Sequence, residues 1–155
     1  MQLSFGGDMR RLIRMTLLTL VAVPGALAAQ QRRYIDPRMA SDTTVPPFSA
    51  GVVVGNTLYL AGKIGLTADR KVPATAEEEA RLVLEDMKGT LEKAGLTMDD
   101  LVSVQIFCSD VKHYAAFNDV YRTYFTKEYP ARAFIGSGTL LFGARFEVQG
   151  VAVRR

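Results

Sequence analysis

The chain has 155 residues, 48% hydrophobic and 23% charged, a composition that fits one globular domain with a substantial core. Its 19 basic and 16 acidic residues give a net charge of +3, and with residues 1–28 set aside the balance is 16 against 15, too even for the electrostatic footprint of a nucleic-acid binder. One cysteine, Cys108, excludes an intrachain disulfide, and one histidine, His113, leaves no His/Cys cluster at zinc spacing.

Arg10, Arg11 and Arg14 precede the apolar run 15–29, which ends in small residues with Ala26 and Ala28 at the spacing of an Ala-x-Ala cleavage signal. This is the three-part pattern of a secretory signal peptide over residues 1–29, and it reads more cleanly if Met9 is the start. The run falls short of the roughly 20 apolar residues of a membrane span. The expected product is an exported chain, periplasmic or secreted, with no stable span after cleavage. Residues 30–44 are polar, charged and without periodicity, and read as a flexible linker ahead of a domain over 45–155.

Val45-Pro46-Pro47 stiffens the entry to two β-rich runs, 48–54 and 57–64, and the Gly55-Asn56 pair between them predicts a hairpin. Residues 66–74 form a connecting loop. Thr75 with Glu78 predicts a capping box opening a helix. The apolar positions 76, 80, 83, 87, 91 and 94 give it one stripe, and Gly95 ends it. Glu77, Glu78 and Glu79 read as a solvated first turn at the positive end of the helix dipole. The run 101–108 is apolar on both alternations, as a strand well inside a sheet is, and Cys108 within it reads as a small buried hydrophobe. Asp110 can cap a second helix, roughly 111–126, whose Tyr114, Phe117, Tyr121, Tyr124 and Phe125 read as a core face; His113 falls on its surface.

The chemistry concentrates at the C-terminal end. Gly136-Ser137-Gly138 is not a nucleophile elbow, and 136–143 lacks the ending of a phosphate loop, so that stretch reads as a flexible connection. What remains is guanidinium and carboxylate. Arg132, introduced by Pro130, offers a planar fork suited to a substrate carboxylate. Glu147 lies on the strand face opposite Phe146 and Val148, where it could position or deprotonate a water. Spacing alone favours a cross-strand ion pair between the two over catalysis.

Pro130-Ala131-Arg132 with Glu147 fifteen positions on, closing on Val151-Ala152-Val153-Arg154, resembles the C-terminal signature of the RidA/YjgF family of reactive-intermediate deaminases. The resemblance extends through the stretch 55–62, Leu91-Glu92-Lys93-Ala94-Gly95-Leu96 and Phe117-Asn118-Asp119-Val120-Tyr121, covering essentially 45–154. It implies an α+β, chorismate-mutase-like ββαβαββ fold with two helices on one face, assembled as a homotrimer with ligand clefts between subunits. It also implies that Arg132 binds a substrate carboxylate, that Glu147 orients the hydrolytic water and that Asn118 supports the site wall, with no metal and no organic cofactor. The expected reaction is hydrolysis of small 2-imino or enamine acids to ammonia and a 2-oxo acid. Phe48, Ala61 and Phe134 stand where the family's deaminases carry tyrosine, serine and cysteine, which predicts a more apolar cleft and weaker substrate orientation. Lys63 reads as a solvated lysine. The alternative in another class is a non-enzymatic trimer that binds small carboxylates, which export favours. A ribonuclease-like activity is poorly matched to the charge balance, and no nucleic-acid partner is expected.

Overall fold

A computed structural model describes residues 31–155, and Gln2 besides. The expected signal peptide, 1–29, lies outside the described residues. The elements in chain order are β1 (Arg32–Ile35), β2 (Gly51–Val54), β3 (Thr57–Ile64), α1 (Ala76–Lys93), β4 (Leu101–Cys108), α2 (Tyr114–Tyr121), β5 (Ala131–Gly136) and β6 (Phe146–Val153). The strands form one sheet in the order β1-β2-β3-β6-β4-β5. Only β4 and β5 run parallel; every other neighbouring pair is antiparallel. This is an α+β fold, and from residue 45 onward the succession is ββαβαββ.

Alternation in the strands decides the two faces. Phe146, Val148 and Ala152 of β6 and Val104, Ile106 and Cys108 of β4 are fully buried against α1 and α2, with Met87, Leu91 and Phe117 from the helices. The intervening residues Glu147, Gln149 and Val151 point to the opposite, open face, where Tyr59 and Val102 are exposed. The Gly55-Asn56 turn of the β2–β3 hairpin is made with Gly55 at φ +61°, a conformation glycine adopts without penalty.

Three local expectations change. Residues 32–35, within the segment read as a flexible linker, form the edge strand β1, pairing with β2. Only Ile35 of the four is buried, so no apolar alternation marks the strand in the sequence. Backbone pairing holds it, and so does Arg33, whose guanidinium donates to the Ala94 carbonyl at the end of α1 (3.2 Å), an acceptor it shares with Arg154 (2.8 Å). The second helix is not continuous from 111 to 126: α2 proper is eight residues, flanked by 3-10 turns at Val111–His113 and Arg122–Tyr124.

The third correction concerns α1. Thr75 Oγ1 accepts from the Glu78 N–H (3.2 Å), and Gly95, at φ +75°, closes the helix with paired bonds from the Gly95 and Leu96 amides to the Glu92 and Leu91 carbonyls. Glu79, however, is not solvated; its side chain is 0% exposed. One carboxylate oxygen accepts from the backbone N–H groups of Arg145 (2.6 Å) and Phe146 (2.9 Å), and the other from the Arg145 guanidinium (2.8 Å). Glu79 thereby ties the first turn of α1 to the start of β6. A buried carboxylate is tolerable only when so fully paired.

Candidate active site

Arg132 opens the first of two clefts. In the parallel register it sits beside Val104, on the helix-covered face of the sheet, and its guanidinium lies over the rings of Tyr121 (4.8 Å to the centroid) and Tyr114 (5.9 Å). Stacking of this kind fixes the plane of the fork while leaving its N–H edge free for an acceptor. The cleft, about 250 Å³, is lined by Asn118, Arg122, Tyr129 and Pro130 as well, so it holds two guanidinium groups and no carboxylate. The Tyr121 hydroxyl is buried without a hydrogen-bond partner among the described residues, and burial pushes its pKa up to about 12 against the pull of Arg132 in the other direction. Phe134 does not line this cleft. It lies beneath, edge-on to Tyr114 (5.0 Å) and Phe117 (5.7 Å), as part of the support for the tyrosine that faces Arg132.

Glu147 belongs to the second cleft, about 570 Å³, lined also by Phe48, Ala61, Gly62, Lys63, Ile64, Arg70, Leu141 and Phe142. Eight-residue β3 outruns four-residue β2, its last tie on that side being the Ala61 N–H to the Ala50 carbonyl (3.1 Å), and its pairing with β6 shifts register between Leu60 and Lys63. Gly62 lies in the shifted segment, and a Cβ there would collide with Glu147 Oε1; the carboxylate rests directly on the glycine backbone. Lys63 is not a solvated lysine: its side chain is 13% exposed and bonded to Asp86 of α1 (3.0 Å). At the mouth, Arg70 (φ +61°) and Phe142 (φ +60°) both adopt the left-handed backbone that non-glycine residues enter at a cost of about 1–2 kcal/mol, and the Arg70 guanidinium lies 5.7 Å from the Phe142 ring centroid.

The structure therefore sorts the candidate residues into two groups, Arg132 and Asn118 in one cleft and Glu147, Phe48 and Ala61 in the other. The cross-strand ion pair that spacing favours does not form. β4 stands between β5 and β6, Arg132 is level with Val104 and Glu147 with Phe107, and the two side chains leave opposite faces of the sheet. Two strand spacings and three residues of rise put their backbones about 14 Å apart. Sequence reasoning missed Tyr114 and Tyr121 as the seat of Arg132, because aromatics at helical spacing read first as core, and missed Arg70 and Phe142, which no motif marks. Cys108 is fully buried, and burial raises its thiol pKa.

Comparison with known proteins follows the same lines. The profile of the Endoribonuclease L-PSP family matches residues 39–154. The chain belongs to this family, that of the RidA/YjgF proteins. The 2-iminobutanoate/2-iminopropanoate deaminase of Dermatophagoides farinae is 35% identical over 111 residues, covering 70% of this chain and 87% of the relative. The human protein of the same description is 30% identical over 125 residues, covering 79% and 90%. Among solved structures, Escherichia coli TdcF with bound serine superposes with a TM-score of 0.70 at 27% identity, covering 79% of this chain and all of TdcF.

Proposed function

We propose that the protein is a hydrolytic deaminase of 2-imino and enamine acids, working without metal or organic cofactor at clefts completed between subunits. The observation that carries this reading is the pairing of a stacked guanidinium in a carboxylate-free cleft at Arg132 with a half-buried carboxylate at Glu147, in a chain similar to imine deaminases. Because the two groups leave opposite faces of one sheet, a substrate that touches both must lie between two chains. The open face, with Tyr59 and Val102 exposed beside Val151, supports association through that surface, and a homotrimer satisfies it with three equivalent clefts. Residues 1–29, read as an export signal, put the working assembly outside the cytoplasm.

In this arrangement the fork of Arg132 takes the substrate carboxylate through two parallel hydrogen bonds. Glu147 accepts a proton from a water as the water oxygen attacks the imine carbon, and the carbon–nitrogen double bond opens to a tetrahedral adduct. That proton and then the one remaining on the adduct hydroxyl pass to nitrogen, the carbon–nitrogen bond breaks as the carbonyl forms, and ammonia and a 2-oxo acid leave. One water is consumed and no electron is transferred to or from a co-reactant. An enamine enters the same course after protonation at its β-carbon.

The test is ammonia and 2-oxo acid release from 2-iminopropanoate generated in situ by an amino-acid oxidase. Wild-type protein is expected to accelerate release over buffer. Glu147→Gln should lower kcat by about 10²-fold or more, as loss of a general base does, and Arg132→Ala should act chiefly on KM. Wild-type rates equal to buffer, with Arg132-dependent binding of 2-oxo acids retained, would replace the enzyme by a carboxylate-binding protein; Phe48 and Ala61, which bring no hydroxyl to the Glu147 cleft, are the residues that would then explain it.

A further inference from the structure

We propose that the Glu147 cleft contains a subsite for a bulky apolar side chain, so that the preferred substrate is a 2-imino acid with a branched or aromatic side chain rather than one of three or four carbons. The inference rests on the deaminase reading and deepens it. In the isolated chain the cleft measures about 570 Å³, enough to admit part of the partner that brings Arg132 and still exceed what a three-carbon imino acid fills. Phe48, Ile64, Leu141 and Phe142 give the cleft an apolar part, with Phe48, Leu141 and Phe142 exposed in the isolated chain, while two of its other charged groups, Lys63 and Asp86, are paired with each other (3.0 Å). Exposed aromatic and aliphatic side chains gathered in one concavity, next to the group assigned to the water, fit an apolar group that leaves solvent on binding.

Backbone geometry on both sides of the mouth supports a built wall. Phe142 is held in the left-handed region inside a turn closed by the Gly143 N–H to the Leu140 carbonyl (3.2 Å) and the Ala144 N–H to the Leu141 carbonyl (3.1 Å). Facing it, Arg70 is held in the same region by a turn in which the Thr67 N–H donates to the Lys71 carbonyl (2.9 Å) and the Thr67 hydroxyl accepts from the Lys71 N–H (3.1 Å). Two independent turns thus present two non-glycine residues to each other at one place, and the Arg70 guanidinium lies over the Phe142 ring. The cation orients the aromatic wall; the ring occupies the position from which it meets the substrate side chain. Phe142 is a specificity-determining residue in this scheme, and Arg70 positions it.

The test measures kcat/KM for imines generated from alanine, leucine, phenylalanine and glutamate. Wild-type protein is expected to favour the leucine- and phenylalanine-derived imines over the alanine-derived one by at least about tenfold, the discrimination a few methylenes supply in an apolar pocket. Phe142→Gly suits the left-handed backbone and should fold with no loss of Tm, while lowering that ratio about tenfold. Arg70→Gly should lower it in the same direction. A wild-type preference for the alanine-derived imine overturns the subsite. So does a preference for the glutamate-derived imine, which would make Arg70 an anion binder. An unchanged ratio in Phe142→Gly together with altered sedimentation also overturns it, because the wall would then be an intersubunit contact. If no imine is turned over, the deaminase reading fails separately, and calorimetric binding of phenylpyruvate against pyruvate to wild type and Phe142→Gly decides the subsite by the same ratio.

Discussion

Tyr121 carries two loads at once. Its ring seats the Arg132 guanidinium, while its hydroxyl is buried with no partner among the described residues and its pKa is pushed up to about 12 by burial. A phenol whose folded pKa exceeds its ordinary value of 10 favours the fold while it is neutral. That stability is fully present below pH 10 and is lost as pH rises towards 12, amounting to about 2–3 kcal/mol. Tyr121→Phe keeps the ring and removes an unsatisfied hydroxyl, so it should be neutral or stabilising at pH 7. It should also flatten the fall in unfolding free energy between pH 10 and 12, measured by urea titration, though Tyr124, raised to about 12 by burial and its bond to Glu85, keeps part of the slope. Identical alkaline slopes in the two proteins would show that Tyr121 ionises freely. None of this was legible in the sequence. An aromatic stripe at helical spacing announces a buried face, but Phe117 and Tyr121 look alike in it until β5 delivers an arginine to one of them.

Between elements, the joint made by Glu79 matters most. Three consecutive glutamates at the start of α1 are chemically equivalent in the sequence, and helical position alone assigns them all to the dipole and to water. Tertiary contact separates them: Glu77 and Glu78 are exposed, and Glu79 is enclosed with the amides of residues 145 and 146 and the Arg145 guanidinium. Glu79→Ala would leave two backbone donors without their acceptor and strip the carboxylate from the Arg145 guanidinium, which keeps only the Pro73 and Ala74 carbonyls, a loss of about 3–5 kcal/mol in unfolding free energy. Glu79→Gln retains an acceptor and should lose less. Chemical denaturation of both variants measures this, and a change under about 1 kcal/mol in Glu79→Ala would show that water replaces the carboxylate. α1 was readable because period and caps agreed, and the five strands after residue 45 because apolar runs and turn signals bounded them; the second helix was legible as an aromatic face but not in its bounds, since Asp110 caps a 3-10 turn rather than α2. β1 was not, since a strand held by backbone pairing and one buried isoleucine leaves no periodic trace.

For the whole molecule the governing fact is that β4 lies between the two strands that carry Arg132 and Glu147, and that these side chains leave opposite faces. Adjacent positions in the sequence suggest neighbouring strands, and only the register shows otherwise. The proposed intersubunit cleft has a direct consequence for mixtures. Arg132→Ala and Glu147→Gln protomers, each with kcat/KM far below wild type when alone, should recover activity when unfolded together and refolded, because some clefts then receive Arg132 and Glu147 from different intact chains. In a random mixture of trimers about a quarter of wild-type activity is expected. No recovery, with mixed trimers demonstrated by mass, would place both groups in one chain's site. The glycine under Glu147 extends the point beyond this molecule. Since a Cβ at position 62 and the carboxylate oxygen claim the same space, a relative bearing any larger residue there must at least swing the end of its glutamate side chain aside. That single position therefore marks, from sequence, whether a relative can seat its glutamate as Glu147 is seated here.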